Sequence, residues 1–221
     1  MSMRIISGRF RRRKVLSNPG DVTRPILDRV KESVFARLEA GLVGKRVADV
    51  FSGTGTIGLE ALSRGAETCV FVEQDKIASS LLKQNIESLG VEDSTLCWWT
   101  DALLCSYKPK GDCGRFVPFD VIFFDPPYKM AGDIHPDTKI YRAVKRLARP
   151  DVSSPDALLI VRIPERTEIE VPPQWKAEWE VDMANMIVRV HRKVAVATDA
   201  VSEEPAEEVP EDDRGAAGEG Q

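Results

Sequence analysis

Asp125-Pro126-Pro127-Tyr128 gathers the groups in this chain best suited to chemistry. The tetrapeptide follows Phe119-Asp120-Val121-Ile122-Phe123-Phe124, an apolar run that reads as a buried parallel strand. Two prolines cannot prolong a strand, so the Asp125 carboxylate is left at its carboxyl end, on a stiff turn, with an aromatic ring beside it. Ligands of open α/β sheets collect at such ends. Asp125 and the carbonyl of Pro126 can accept hydrogen bonds from an exocyclic NH2 group, while Pro127 stiffens the turn and Tyr128 can stack on the ring that carries the amine. A Pro-Pro pair can also be a plain turn, so the reading depends on what stands upstream.

The elements that must position these groups begin at Lys45 to Phe51, which reads as a first strand. Ser52-Gly53-Thr54-Gly55-Thr56-Ile57-Gly58 follows, then a helix from about Thr56 to Arg64 with Gly65 placed as its cap. Gly53, Gly55 and Gly58 fit G-x-G-x-x-G between strand and helix, which lets a backbone approach a nucleotide-like ligand. That motif alone would serve NAD, FAD or S-adenosylmethionine (SAM). Asp49 tips the choice: a buried carboxylate suits the cationic methionine end of SAM but would repel a pyrophosphate. The Asp-x-Phe-x-Gly-x-Gly pattern resembles motif I of SAM methyltransferases. Asp125 to Tyr128 resembles the Asp/Asn-Pro-Pro-Tyr motif of enzymes that methylate exocyclic amines of nucleobases.

Two further acids extend the donor site. Glu67 to Glu73 reads as a second strand, and its last residue lies about 20 residues past the glycines, the spacing of a carboxylate on ribose hydroxyls. Asp75 is placed to cap a helix running to about Leu89, with Ile77, Leu81, Leu82, Ile86 and Leu89 as its apolar stripe. Ser94 to Thr100 reads as a third strand, after which Asp101 is placed to accept from an adenine amino group; a loop or capping acid is its plainer role. The expected SAM site is therefore Asp49, Ser52, Gly53, Gly55, Glu73 and Asp101.

Downstream, Lys108 to Pro118 reads as a peripheral loop, and a helix is expected between about Asp137 and Ala148. A strand at Ala157 to Ile163 should be followed by an antiparallel hairpin of Lys176 to Val181 and Met186 to Arg192. The chain of 221 residues is long enough for one α/β domain with extensions. Cys69, Cys97, Cys105 and Cys113 show no C-x-x-C pairing and no nearby histidine, so reduced thiols and no metal are expected. No apolar stretch of ~18 residues suggests a membrane span, and the polar, basic start lacks a leader pattern, which places the protein in the cytoplasm.

Charge is unevenly spread. Residues 1–46 hold 12 Lys+Arg against 4 Asp+Glu, whereas residues 199–221 hold 1 Arg against 9 acids. Arg9, Arg11, Arg12, Arg13 and Lys14 fall in a segment whose ends, Met3 to Ser7 and Val15 to Ser17, can pair as a hairpin. Clustered guanidinium groups neutralise phosphates and give salt-sensitive nucleic-acid binding; a solvated arm is the blander outcome. Thr23-Arg24-Pro25 starts a helix carrying Ile26, Val30, Val34 and Leu38 on one stripe, with Arg24 and Arg29 added to the basic set and Asp28, Arg29 and Lys31 off the stripe, toward a substrate cleft. Three regions are expected: a basic hairpin and helix over 1–44, a methyltransferase domain over 45–194, and a disordered acidic tail over 195–221.

Arg4-Ile-Ile-Ser-Gly8, Thr23-Arg-Pro25, Asp28-Arg29, Glu32, Phe35, Asp49-Val-Phe-Ser-Gly-Thr-Gly55, Gly58 to Ala66 and Asp125-Pro-Pro-Tyr128 together resemble the RsmD family of bacterial rRNA methyltransferases. The likeness runs over roughly residues 3–194. It implies an α/β, Rossmann-like class I SAM-dependent fold, a mostly parallel seven-stranded sheet with a C-terminal antiparallel hairpin. It also implies transfer of a methyl group from SAM, leaving S-adenosylhomocysteine, to the N2 amine of one guanine in small-subunit (16S) rRNA. The implied partner is that RNA or the assembling small ribosomal subunit, and a monomer is expected. Ile26-Leu27 departs from the polar pair usual after Thr-Arg-Pro, and Met183-Ala184-Asn185 stands where the family tends to show Tyr-Gly. Adenine-N6 methylation, dinucleotide oxidoreduction and a non-catalytic RNA-binding assembly role are the competing readings.

Overall fold

The protein is described by a computed structural model covering residues 3–17, 28–38, 41–183 and 185–195. Arg24 and the acidic segment from residue 196 lie outside these residues, as does the side chain of Arg29.

Five parallel strands form the centre: β3 (Arg46–Val50), β4 (Thr68–Glu73), β5 (Thr95–Trp99), β6 (Phe119–Phe124) and β7 (Ser153–Pro164). Strands β8 (Trp175–Met183) and β9 (Met186–Lys193) add the antiparallel hairpin, giving the order β5-β4-β3-β6-β7-β9-β8. The chain runs outward from β3 to β5 and returns to lay β6 against the other side of β3. That reversal opens a crevice at the carboxyl ends of β3 and β6, where an open α/β sheet receives its ligand.

Alternation along the strands sorts the two faces. Val47, Cys69, Phe71, Val121, Phe123 and Ile160 pack beneath three helices, α1 (Asp28–Leu38), α2 (Thr56–Ser63) and α3 (Lys76–Leu89). Ala48, Val50, Val70, Ile122, Phe124 and Leu159 pack on the opposite side under α5 (Lys139–Leu147). The glycine at 58 has a packing cause: a Cβ there would lie 2.4 Å from the Phe71 ring and 2.6 Å from Cys69 Sγ. Helix α2 can approach β4 because nothing projects from that position.

Helix α2 is buried on nearly every side because a small ribbon covers its outer face. Strands β1 (Met3–Arg4) and β2 (Lys14–Val15) pair antiparallel. The loop between them hangs on α2: Ile6 and Ser7 donate to the Glu60 carboxylate at 2.8 and 3.1 Å, and Phe10 donates to Ser63 Oγ at 3.0 Å. Asn85 of α3 holds the far end, accepting from Leu16 N and donating to the Leu16 carbonyl. Glu60 also pairs with Arg64 one turn on, so this fully buried carboxylate is met by three donors.

Several expectations are revised. Ile77 does not join the stripe of α3; it is 60% exposed, and Ala78 and Asn85 take inward places instead. The Lys108 to Pro118 segment is not wholly peripheral, because Phe116, in a tight 3-10 turn over Gly111–Phe116, is buried in the core. Strand β7 starts at Ser153, four residues earlier than the apolar run indicates. A short helix, α4 (Tyr128–Ala131), follows the two prolines directly, with the Pro127 carbonyl accepting from Met130 and Ala131. At the C-terminal hairpin the departure from Tyr-Gly leaves the turn workable: Met183 pairs with Met186, and Asn185 adopts φ 77, a left-handed conformation that asparagine tolerates.

Candidate active site

Asp49 stands one residue before the end of β3 with its side chain on the α2 face and is 1% exposed. Its Oδ2 accepts from Gly58 N at 2.8 Å, the first turn of α2. Oδ1 meets no donor among the described residues, nor does the buried Oγ of Ser52 three residues on. Burial pushes the Asp49 carboxyl well above the ordinary carboxylate range; the Gly58 bond opposes this, and the charges of Asp125 and Glu73 add to it. A buried carboxylate oxygen with no donor among the described residues suits a cationic partner. The ammonium and sulfonium of SAM supply one, and a dinucleotide pyrophosphate does not.

The glycine loop is held from β4. Glu73 Oε2 accepts from Gly53 N at 2.7 Å, and Oε1 accepts from Asp75 N at 2.7 Å. Gly53 has φ +55 with nothing within 4 Å of where a Cβ would stand, so the loop keeps an open side. Gly55, at φ +83, faces the protein: a Cβ there would strike Leu82 at 2.3 Å. Thus Gly53 borders open space, while Gly55 and Gly58 serve close packing. Asp101 Oδ1 accepts from Leu103 N at 2.8 Å, and its carbonyl accepts from Leu104 N and Cys105 N. Ile77, Trp99 and Leu104 are large apolar side chains left exposed. Trp99 lies beside Glu73 in the sheet, Ile77 follows it on α3, and Leu104 follows Asp101.

Across the crevice, Asp125 is not waiting for a donor. Arg162 of β7 meets it with a two-point fork, Nε to Oδ1 at 2.6 Å and Nη2 to Oδ2 at 2.8 Å. The carboxylate is thus satisfied within the protein before any substrate amine arrives. Burial raises the Asp125 carboxyl above its usual range, and Arg162 pulls it back down by charge and by hydrogen bonding. The guanidinium carbon lies 5.4 Å from the centroid of the Tyr128 ring, within cation–π range. The pair lines a cavity of about 20 Å3 together with Lys31, Val34, Phe35, Ile57, Phe123 and Ile160 among others. Lys31 is nearly fully buried.

Sequence reasoning missed Arg162, although a signal was present. Ala157-Leu-Leu-Ile-Val-Arg-Ile163 carries one cation inside an apolar run next to the Asp125 strand, and a charge in such a strand requires a partner. The basic residues of the ribbon separate into two kinds. Arg9, Arg11, Arg12 and Lys14 are exposed, whereas Arg13, also exposed, already donates to the Ser88 carbonyl of α3. Among the described residues no group of His, Cys, Asp and Glu is arranged to hold a metal ion, and the four cysteines are free thiols.

Fold and site define a class I SAM-dependent methyltransferase. The family model described as "Conserved hypothetical protein 95" matches residues 3–190. Ribosomal RNA small subunit methyltransferase D of Haemophilus influenzae is 30% identical over 173 residues, 78% of this chain and 84% of that protein. YlbH of Bacillus subtilis is 39% identical over 127 residues, 58% of this chain and 67% of its own length. The solved structure of yhhF from Escherichia coli superposes with a TM-score of 0.73 at 27% identity, covering 89% of this chain and all of that one. The chain belongs to this family, the RsmD family of rRNA methyltransferases.

Proposed function

We propose that this protein methylates the exocyclic N2 amine of one guanine in small-subunit (16S) rRNA. The observation that carries the reading is a carboxylate, Asp125, on a Pro-Pro turn, with Tyr128 beside it. It faces, across the β3–β6 crevice, a carboxylate oxygen left without a partner. Relatives named as small-subunit rRNA methyltransferases support the substrate, and ribosome assembly would place the enzyme in the cytoplasm. No described helix is long and apolar enough to cross a membrane.

SAM supplies an electrophilic methyl group when bound; the chain's own residues orient the two reactants. Asp49 Oδ1 and Ser52 Oγ would receive the methionine ammonium, Glu73 the ribose hydroxyls, and the exposed apolar side chains of Ile77, Trp99 and Leu104, with Asp101, the adenine. On the acceptor side, an aromatic-ring amine is a poor nucleophile because its lone pair is delocalised. Hydrogen bonds to Asp125 and the Pro126 carbonyl would localise that lone pair and aim it, so positioning supplies much of the acceleration. Tyr128 would stack on the base once it leaves its own stack, which favours a loop nucleotide over one inside a duplex. Exposed Arg9, Arg11, Arg12 and Lys14, with Arg24 and Arg29, would meet phosphates.

Nucleoside mass spectrometry of rRNA from cells with and without the gene tests the reading. Loss of one N2-methylguanine, restored by the purified protein acting on small subunits, is the expected result. Loss of N6-methyladenine instead would assign the same site to adenine.

A further inference from the structure

The fork between Arg162 and Asp125 joins the two groups assigned to the target base. Ladder pairing of Phe124 with Val161 puts Asp125 and Arg162 beside each other, one step past the pair, on the α1 face of the sheet. A carboxylate has about four lone-pair positions, and a two-point fork uses two, leaving one on each oxygen for another donor. The same guanidinium reaches over Tyr128. Asp125 and Arg162 both line a cavity that Lys31, Phe35 and Ile57 also wall, so the lone pairs left over from the fork have room to meet a further donor.

We propose that Arg162 is a positioning residue for methyl transfer, its guanidinium fork holding the Asp125 carboxylate aimed and ionised while bracing the Tyr128 ring that receives the base. This rests on the functional reading given above. A carboxylate so paired is a weak base, so Asp125 accepts a hydrogen bond from the amine while the N–C bond forms and the S–C bond breaks, and takes the proton only afterwards, when the methylated nitrogen has become strongly acidic. The charged and titratable groups around Asp125 are Arg162 from β7, Lys31 from α1, Asp49 from β3 and Tyr128 from α4. Arg162 is the one that lowers the Asp125 carboxyl, against burial. Removing its charge leaves burial to raise that carboxyl, so activity requiring the ionised form is lost at higher pH than in the wild type.

Two substitutions separate charge from geometry. Arg162→Gln removes the charge and should move the acid limb of the kcat profile upward by about 1–3 pH units. Arg162→Lys keeps a charge but cannot span both oxygens, so its acid limb should stay near the wild-type position while kcat falls at least ~10-fold. SAM affinity should be unchanged in both. In parallel, protein labelled with 13C at aspartate carboxyls, assigned by Asp125→Asn, should show the Asp125 titration moving upward in Arg162→Gln. A folded Arg162→Gln protein with the wild-type Asp125 titration, or an Arg162→Lys enzyme with wild-type kcat, overturns the proposal. If Arg162→Gln does not fold, the kcat of Arg162→Lys decides. A wild-type enzyme that methylates no small-subunit RNA would instead sink the functional reading, and the carboxyl titration would still judge whether Arg162 governs Asp125.

Discussion

Asp49 and Asp125 sit at the carboxyl ends of adjacent parallel strands, on one face of the sheet, and both are largely withdrawn from water. Asp49 has one backbone donor on Oδ2 and none on Oδ1 among the described residues, whereas Asp125 has a guanidinium across both oxygens. A buried, half-satisfied carboxylate costs free energy that a cation would offset, so the β3 side suits a ligand that completes it. The β6 side is complete beforehand, and its carboxylate can orient a neutral amine without demanding one. One half of the crevice thus gains affinity from unmet polarity, and the other gains geometry from polarity already met.

Removing the paired carboxylate should have the largest effect. Asp125→Ala is expected to lower single-turnover methyl transfer by roughly 10²–10⁴-fold, the range for a positioned proton acceptor. It should also lower folding stability, because the largely buried Arg162 guanidinium loses its two-point fork to Asp125. Denaturant titration and rate measurements on the same sample check both. A folded Asp125→Ala protein with near wild-type rate would remove Asp125 from the mechanism.

Asp49→Asn should behave in the opposite sense. SAM affinity should fall by about 1.5–3 kcal/mol, the scale of hydrogen bonds to charged groups, while the ligand-free protein becomes more stable. The pH dependence follows from the direction of the shift. A carboxyl raised in the folded state disfavours folding as pH climbs from its unfolded value through its folded one, and that penalty is absent below the unfolded value. SAM, a cation, prefers the ionised form, so wild-type affinity should weaken as pH falls through the raised value and Asp49→Asn should show no such slope. Calorimetry at several pH values measures this; equal slopes in the two proteins would mean that Asp49 does not face the ligand.

Glu73→Ala is expected to cost SAM binding about 1–3 kcal/mol. The structure adds a reason beyond ribose contact, since Glu73 also fixes Gly53 N and Asp75 N. Glu73→Gln keeps an acceptor for one of those bonds and should lose less. Unchanged calorimetric affinity in Glu73→Ala would take the residue out of the site.

What could be read beforehand divides along the same line. Motifs confined to one strand and its following turn were legible: the glycine loop, the acid at the end of β4 and the Pro-Pro turn after β6 are local in sequence, and the strand order follows from connection rules. Interactions that join distant segments were not. Arg162 lies 37 residues beyond Asp125, and a lone cation in the apolar run of β7 says that a partner is needed without saying which one. Likewise Glu60 reads as an ordinary helix acid until the ribbon, more than 50 residues earlier in the chain, is found to donate to it. Ile77 fits an apolar stripe by period alone, yet it is exposed, and Ala78 and Asn85 turn inward instead.

The ribbon provides the smallest and most selective test. Its backbone is tied to α2 and α3, so neutralising surface guanidinium groups should leave the fold and SAM affinity unchanged. If Arg9, Arg11 and Arg12 meet phosphates, changing all three to Gln should weaken RNA binding and reduce the slope of log affinity against log salt by about 0.7 per contact on single-stranded RNA. Arg13→Gln should change that slope least, because its guanidinium is already engaged with the Ser88 carbonyl. Filter binding across a salt series reads both. An unchanged slope in the triple variant would make the ribbon a clasp on α2 and nothing more. A slope that falls equally in Arg13→Gln would show that the Ser88 contact gives way to RNA.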